Sequence, residues 1–222
     1  MTEQHQETDV PPEQTPGERI AAEAVFGDRM EVARGFVNHL ATSGIERGLL
    51  GPREVPRLWG RHVLNCAVVA RLMDQDASVV DVGSGAGLPG LAIAISRPDL
   101  EMHLVEPLER RVTWLNEVVA DLGLGNVTVH RARAEQVVGK VSGRYVTARA
   151  VSALSTLAGW TIPLTSPQGE VLAIKGRSAG VEIEKARKLI RKLGGGTPEI
   201  ITVGADLLEE ASTVVRIPRR PV

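Results

Sequence analysis

Residues 78–90 read Ser78-Val79-Val80-Asp81-Val82-Gly83-Ser84-Gly85-Ala86-Gly87-Leu88-Pro89-Gly90, and Leu91-Ala92-Ile93-Ala94-Ile95 follows directly. A β-branched run with one embedded carboxylate gives way to four glycines in eight residues and then to an apolar helical pattern. That order is strand, tight loop, helix, the opening crossover of a parallel α/β sheet. Working outward, further strands are predicted at 102–106, 127–130, 145–148 and 170–174, with helices from Leu88 to Ser96, Glu109 to Leu122, Ala153 to Trp160 and Val181 to Leu193, and two late strands at 199–203 and 212–217. Strands alternating with helices at this spacing predict a Rossmann-like, doubly wound, mostly parallel seven-stranded sheet, the α/β class. Upstream the period is helical: Ile20, Val25, Phe26, Met30, Ala33, Phe36, Val37 and Leu40 recur at steps of three to five residues. The organisation expected is therefore a mobile tail at 1–17, a helical cap at 18–73 and the α/β domain at 74–222.

Composition removes several classes. The 222 residues are 43% hydrophobic and 24% charged, enough for one sizeable core and unlike a disordered chain. A single cysteine forbids an internal disulfide and argues against a Cys-rich metal site, so no metal is expected. Aliphatic runs such as 91–95 fall far short of the roughly 20 residues that cross a bilayer, and the polar start has no signal-peptide pattern. A soluble cytoplasmic chain without a membrane partner is the expectation. The net charge of -1 hides an asymmetry: residues 1–130 carry 11 Lys and Arg against 19 Asp and Glu, whereas residues 131–222 carry 15 against 8. A basic half suits a polyanionic partner, because Lys and Arg neutralise phosphates; solvated helix faces are the plainer account.

The loop also satisfies the dinucleotide fingerprint literally, as Gly85-x-Gly87-x-x-Gly90, a weak signal by itself. Three features favour S-adenosylmethionine over a nicotinamide or flavin cofactor. Asp81 ends the strand with a carboxylate that would face a cation. The additional Gly83 lets backbone pass close beneath a flat ligand. Pro89, read as the helix start, removes an N–H that a diphosphate would use. Glu106 ends the second strand where an acid accepts ribose hydroxyls, which either cofactor would exploit. Ala134 and Glu135 follow the third strand, within reach of an adenine edge, and Arg149 follows the fourth.

Together, residues 81–90, Glu109-Arg110-Arg111-Val112-Thr113-Trp114-Leu115, Ala134-Glu135, Arg149-Ala150-Val151 and Lys175-Gly176 resemble the small-subunit ribosomal RNA guanine-N7 methyltransferases, also called the glucose-inhibited division protein B family. The likeness runs from about Leu58 to Gly180. It implies a class I methyltransferase with an N-terminal helical extension, S-adenosylmethionine as donor, and N7 of guanine 527 in the 16S RNA of the small ribosomal subunit as acceptor. It implies cofactor contacts at Gly83, Leu88, Ala134, Glu135 and Arg149, with Glu106 as the second-strand acid; Asp81, Gly85 and Gly87 join them from the loop reading. The family's His-x-x-Asp-Ser segment stands here as His62-Val63-Leu64-Asn65-Cys66, an amide and a thiol replacing the carboxylate and hydroxyl.

N7 of guanine carries no proton, so transfer to it needs no general base and rests on alignment, with hydrogen bonds reading the base edge. Arg149 and His62 are the candidate catalytic residues, and Lys175, Arg177 and Arg216 the candidate RNA contacts. The basic helix Lys185-Arg187-Lys188-Arg191-Lys192 would extend an RNA track, whereas Trp59, Trp114 and Trp160 are read as core. A monomer without a stable protein partner is expected. A methyltransferase with a small-molecule acceptor, a nicotinamide oxidoreductase and a non-catalytic RNA-binding protein are the rival readings.

Overall fold

The computed structural model describes residues 12–149 and 152–220. Most of the expected tail, residues 1–11, lies outside them. Its remainder behaves differently from expectation: Thr15 caps α1 (Pro16–Phe26) in a reciprocal capping box with Glu18, and Pro16 sits at the helix start. After α1 come α2 (Met30–Ala41) and a short α3 (Ser43–Glu46). A 3₁₀ turn (Pro52–Arg57), a π-helical segment (Leu58–Leu64), α4 (Asn65–Ala67) and a second 3₁₀ turn (Val68–Leu72) complete the N-terminal region.

Seven strands follow in the predicted order: β1 (Ser78–Val82), β2 (Glu101–Glu106), β3 (Val127–Arg131), β4 (Gly143–Arg149), β5 (Thr165–Lys175), β6 (Glu199–Val203) and β7 (Ser212–Pro218). They form one sheet in the order β3-β2-β1-β4-β5-β7-β6, parallel except for β7, which runs antiparallel to both neighbours. The order in which strands are added to the sheet reverses between β1 and β4. At that switch point the C-terminal strand ends open a crevice, which is where open α/β sheets bind ligands.

Two apolar layers cover the sheet. α5 (Gly90–Ser96), α6 (Glu109–Asp121) and the N-terminal helices share one core, in which Phe36, Leu40, Leu91, Leu104, Trp114 and Leu115 are fully buried. α7 (Leu154–Thr161) and α8 (Ala179–Lys192) cover the other face through Leu157, Ala158, Ala186 and Ile190, packed on Val146 and Val171. The N-terminal helices thus join the sheet across the expected 73/74 boundary with a common interior. Polar ties reinforce that seam: Trp114 Nε1 donates to Ser43 Oγ at 2.9 Å, and the Arg97 guanidinium donates to the carbonyls of Ala70, Met73 and Asp74. No helix among the described residues is long and apolar enough to cross a membrane.

Candidate active site

The crossover after β1 is built around two buried carboxylates. Gly83, Gly85 and Gly87 all adopt positive φ (72°, 55° and 76°), the left-handed region that disfavours side chains. A Cβ on Gly90 would lie 2.3 Å from Leu104 Cδ2 and 2.7 Å from Asp81 Oδ2, so helix and strand meet there only without a side chain. Asp81 is fully buried; its carboxylate accepts from Thr147 Oγ1 at 3.0 Å and from the Gly90 N–H at 3.2 Å. Burial pushes its carboxyl up to about 6, against the pull of the Ser84 and Thr147 hydroxyls and the Gly90 N–H, and the nearby charge of Glu106 adds to the rise. Asp81 therefore holds the start of α5 and is absent from the lining of the adjacent cavity, where the sequence reading expected it to face a cation. Pro89 is the N-cap and the helix begins at Gly90, one residue beyond the proline.

Glu106 is equally buried but placed at the cavity wall. It accepts the Gly85 N–H and the Leu108 N–H, both at 3.0 Å, with the Arg111 guanidinium 3.7 Å away. A carboxylate has about four acceptor positions, so capacity remains for hydroxyls of a ligand. The cavity itself, about 410 Å³, is lined by four of the residues read from the sequence as candidate cofactor contacts, Gly83, Glu106, Ala134 and Glu135, and also by Arg111 and Trp160. Gly85, Gly87 and Leu88 stand behind this wall and shape the loop. Trp160, read from the sequence as core, is half-buried at the mouth. Its helical spacing carries no mark of this, because the end of α7 reaches the cavity only once the sheet has formed.

The loop amides decide which cofactor fits. Gly83 N–H goes to the Val105 carbonyl, Gly87 and Leu88 N–H to the Ser84 carbonyl, Leu91 N–H to the Gly87 carbonyl, and Gly85 and Gly90 N–H to the two carboxylates. A diphosphate needs such donors free at the helix start. Here six of them are spent internally, above two acidic groups, and Ser84 and Ala86 N–H are the loop donors outside that set. A cationic nucleoside with ribose hydroxyls and no phosphate suits the cavity.

A second cleft, about 770 Å³, opens on the other side of the switch point, at the ends of β4 and β5. Arg57, Arg61, Arg149, Lys175 and Arg177 line it. Arg57 and Arg61 were not singled out from sequence, although their four-residue spacing just before His62 is a readable signal. Arg177 is exposed. Lys175 has its ammonium held at 2.8 Å by both Glu182 and the Ser152 carbonyl, which engages two of its three donors. Burial, which pushes Glu182 up, is outweighed by the bonds from Lys175, Ser178 and the Leu154 N–H, leaving that carboxyl below its ordinary range. Arg216 lies apart from the cleft, paired with Glu170 and Glu199.

Arg149, expected from the sequence as a cofactor contact, lines this second cleft and is not among the residues lining the first cavity. Its terminal nitrogens donate to His62 Nδ1 (2.9 Å), Cys66 Sγ (3.0 Å), the Arg61 carbonyl (3.1 Å) and the His62 carbonyl (3.5 Å). The residue ties the helical region to the sheet. His62, only 7% exposed, lines neither cavity; its Nε2 faces Glu54 at 2.6 Å. Burial lowers its pKa, and the Arg149 charge adds to that against the pull of Glu54. Asn65 and Cys66 also have defined places. Asn65 accepts from Ser212 Oγ and donates to the Glu210 carbonyl, and Cys66 is buried under Arg149 with its thiol pushed up to about 11 by burial.

A glycine loop, a strand-end acid and a cavity at the switch point of a 3-2-1-4-5-7-6 sheet define a class I S-adenosylmethionine-dependent methyltransferase. Solved structures agree on the fold. An S-adenosyl-L-methionine-dependent methyltransferase of Methanococcus maripaludis superposes with a TM-score of 0.57 at 12% identity, covering 84% of this chain and 94% of its own. The AdoMet complex of M. jannaschii TYW2 superposes with a TM-score of 0.55 at 16% identity, over 69% and 73% of the two chains. The family model for rRNA small subunit methyltransferase G matches residues 29–207, and the chain belongs to that family. Its relatives include the ribosomal RNA small subunit methyltransferase G of Arthrobacter sp. (strain FB24), 69% identical over 91% of this chain and 94% of the relative. That of Renibacterium salmoninarum is 64% identical over 92% and 96%. The chain is an rRNA methyltransferase that uses S-adenosylmethionine.

Proposed function

We propose that this chain transfers a methyl group to N7 of one guanine in small-subunit rRNA, position 527 of the 16S RNA by family resemblance, with the donor on the β2–β3 side of the switch point and the acceptor on the β4–β5 side. The observation that carries the reading is the pairing of an acid-walled cavity with an arginine-lined cleft across one sheet edge. S-adenosylmethionine, when bound, supplies an electrophilic methyl on a sulfonium. Glu106 would hold its ribose, and Ala134, Glu135 and Trp160 its base. Arg57, Arg61 and Arg177 would neutralise phosphates flanking the target base. No residue is asked to remove a proton, because N7 has none, and catalysis reduces to holding donor and acceptor in line.

On this reading the helical region walls the acceptor side, Arg149 and His62 position that wall, and the protein works as a cytoplasmic monomer on ribosomal substrate. A small-molecule acceptor fits less well, since three arginines beyond Arg149 line the cleft. Incubation with methyl-labelled donor and small subunits from a strain lacking the enzyme should label a single guanine. Label confined to protein or to small molecules would overturn the acceptor assignment.

A further inference from the structure

We propose that Glu54 is a positioning residue for the transfer: it fixes the tautomer of His62, so that His62 accepts the Arg149 guanidinium and the segment carrying Arg57 and Arg61 is latched to the end of β4. The kinetic part of this rests on the function proposed above.

Glu54 lies in the 3₁₀ turn Pro52–Arg57, eight residues before His62, and the two side chains meet at 2.6 Å through Glu54 Oε2 and His62 Nε2. On the opposite side of the ring, an Arg149 terminal nitrogen sits 2.9 Å from Nδ1. A guanidinium has donors only, so Nδ1 must present its lone pair and Nε2 must carry the proton. The carboxylate selects that arrangement, because it can only accept. Without it, the neutral ring is free to carry its proton on Nδ1, and an N–H would then confront the guanidinium inside a nearly closed site. Arg149 would lose one of its terminal bonds, and the hold on the Arg61 carbonyl, 3.1 Å from the same guanidinium nitrogen, would loosen with it. Arg61 lines the arginine cleft, so the tautomer of a buried ring controls where a cleft wall stands. Arg61, His62 and Cys66 belong to the helical region and share Arg149 as their partner on the sheet, and Glu54 reaches it through the His62 ring.

Imidazole ¹⁵N shifts of the full chain report the tautomer directly, and His62→Asn assigns the signal. The wild type should show His62 as the Nε2–H form. Glu54→Ala should populate the Nδ1–H form, lower kcat on small subunits by about tenfold, as a displaced reacting partner does, and leave S-adenosylmethionine affinity within about twofold. Glu54→Gln retains an acceptor oxygen and should restore the Nε2–H form with most of kcat. In a His62→Asn background, where there is no ring to orient, Glu54→Ala should have no further effect on kcat. An unchanged tautomer in Glu54→Ala overturns the latch. So does an equal loss of kcat in both backgrounds, or a loss seen only in thermal stability. Wild-type inactivity on small subunits would instead overturn the assigned reaction and the kinetic part with it, while the tautomer response would still decide the latch.

Discussion

Asp81→Asn should make the protein more stable above pH 6. The carboxyl lies inside the first crossover, bonded to Thr147 Oγ1 and the Gly90 N–H, with burial holding it at about 6. The ordinary value is 3.8, so the folded state binds this proton more tightly than the unfolded chain. The sign follows from linkage: stability contributed by this group is complete below about pH 4 and is lost as pH rises through 6. At about 1.4 kcal/mol per pH unit the ionised carboxylate costs about 3 kcal/mol at neutral pH. Asparagine has the same shape and no charge. Its amide oxygen can accept the Gly90 N–H while its NH₂ donates to the Thr147 hydroxyl, which turns to accept. Urea unfolding of both proteins from pH 4 to 8 isolates the effect, because other groups cancel in the difference. Asp99, for example, is held at about 2 mainly by its bond to Arg97, and titrates alike in both. The stability difference should grow in favour of the Asp81→Asn variant by about 2 kcal/mol between pH 4 and 7. A difference that stays flat with pH, or a variant that is less stable than the wild type at pH 8, would refute the account of this carboxylate. Donor affinity should fall at the same time, because a negative charge behind the cofactor loop is lost.

Gly87→Ala places a side chain at φ 76° with its Cβ 2.4 Å from Leu91 Cδ1. Left-handed backbone and overpacking together should cost about 2–4 kcal/mol in urea unfolding and weaken S-adenosylmethionine binding; an unchanged midpoint would contradict the loop geometry. Lys175→Met leaves Glu182 without its buried partner and should destabilise the fold by about 2 kcal/mol, whereas a loss of RNA affinity at unchanged stability would return Lys175 to the phosphate role. Arg177→Ala should leave the thermal melt unaltered and reduce the salt slope of RNA binding by about one; a shifted melt with an unchanged slope would make it structural.

The sheet was legible because its evidence is local. β1 and β3 announce themselves by β-branched runs, and the glycine loop brackets where the first helix of the sheet starts to within two residues. Even the capping box of α1 stands in the sequence as Thr15-Pro16-Gly17-Glu18, a readable S/T-x-x-E pattern hidden by the polar residues before it. Side-chain partners were not legible, because they come from distant segments. Thr147, 66 residues beyond Asp81, turns a presumed ligand contact into a loop anchor. Glu182 and the acids Glu170 and Glu199 similarly pair with Lys175 and Arg216, partners that charge counting does not reveal. Arg149 was located correctly at the strand end, but its donors are spent on carbonyls, a thiol and a ring that no motif encodes.

The cofactor choice stands on six N–H groups of the loop and helix start being committed to carboxylates and carbonyls, and titration calorimetry probes that most directly. S-adenosylmethionine should bind the full chain at one site per molecule, with Glu106→Ala weakening it, and NADH should give no heat of binding. Saturable NADH binding that S-adenosylmethionine fails to displace would contradict the account.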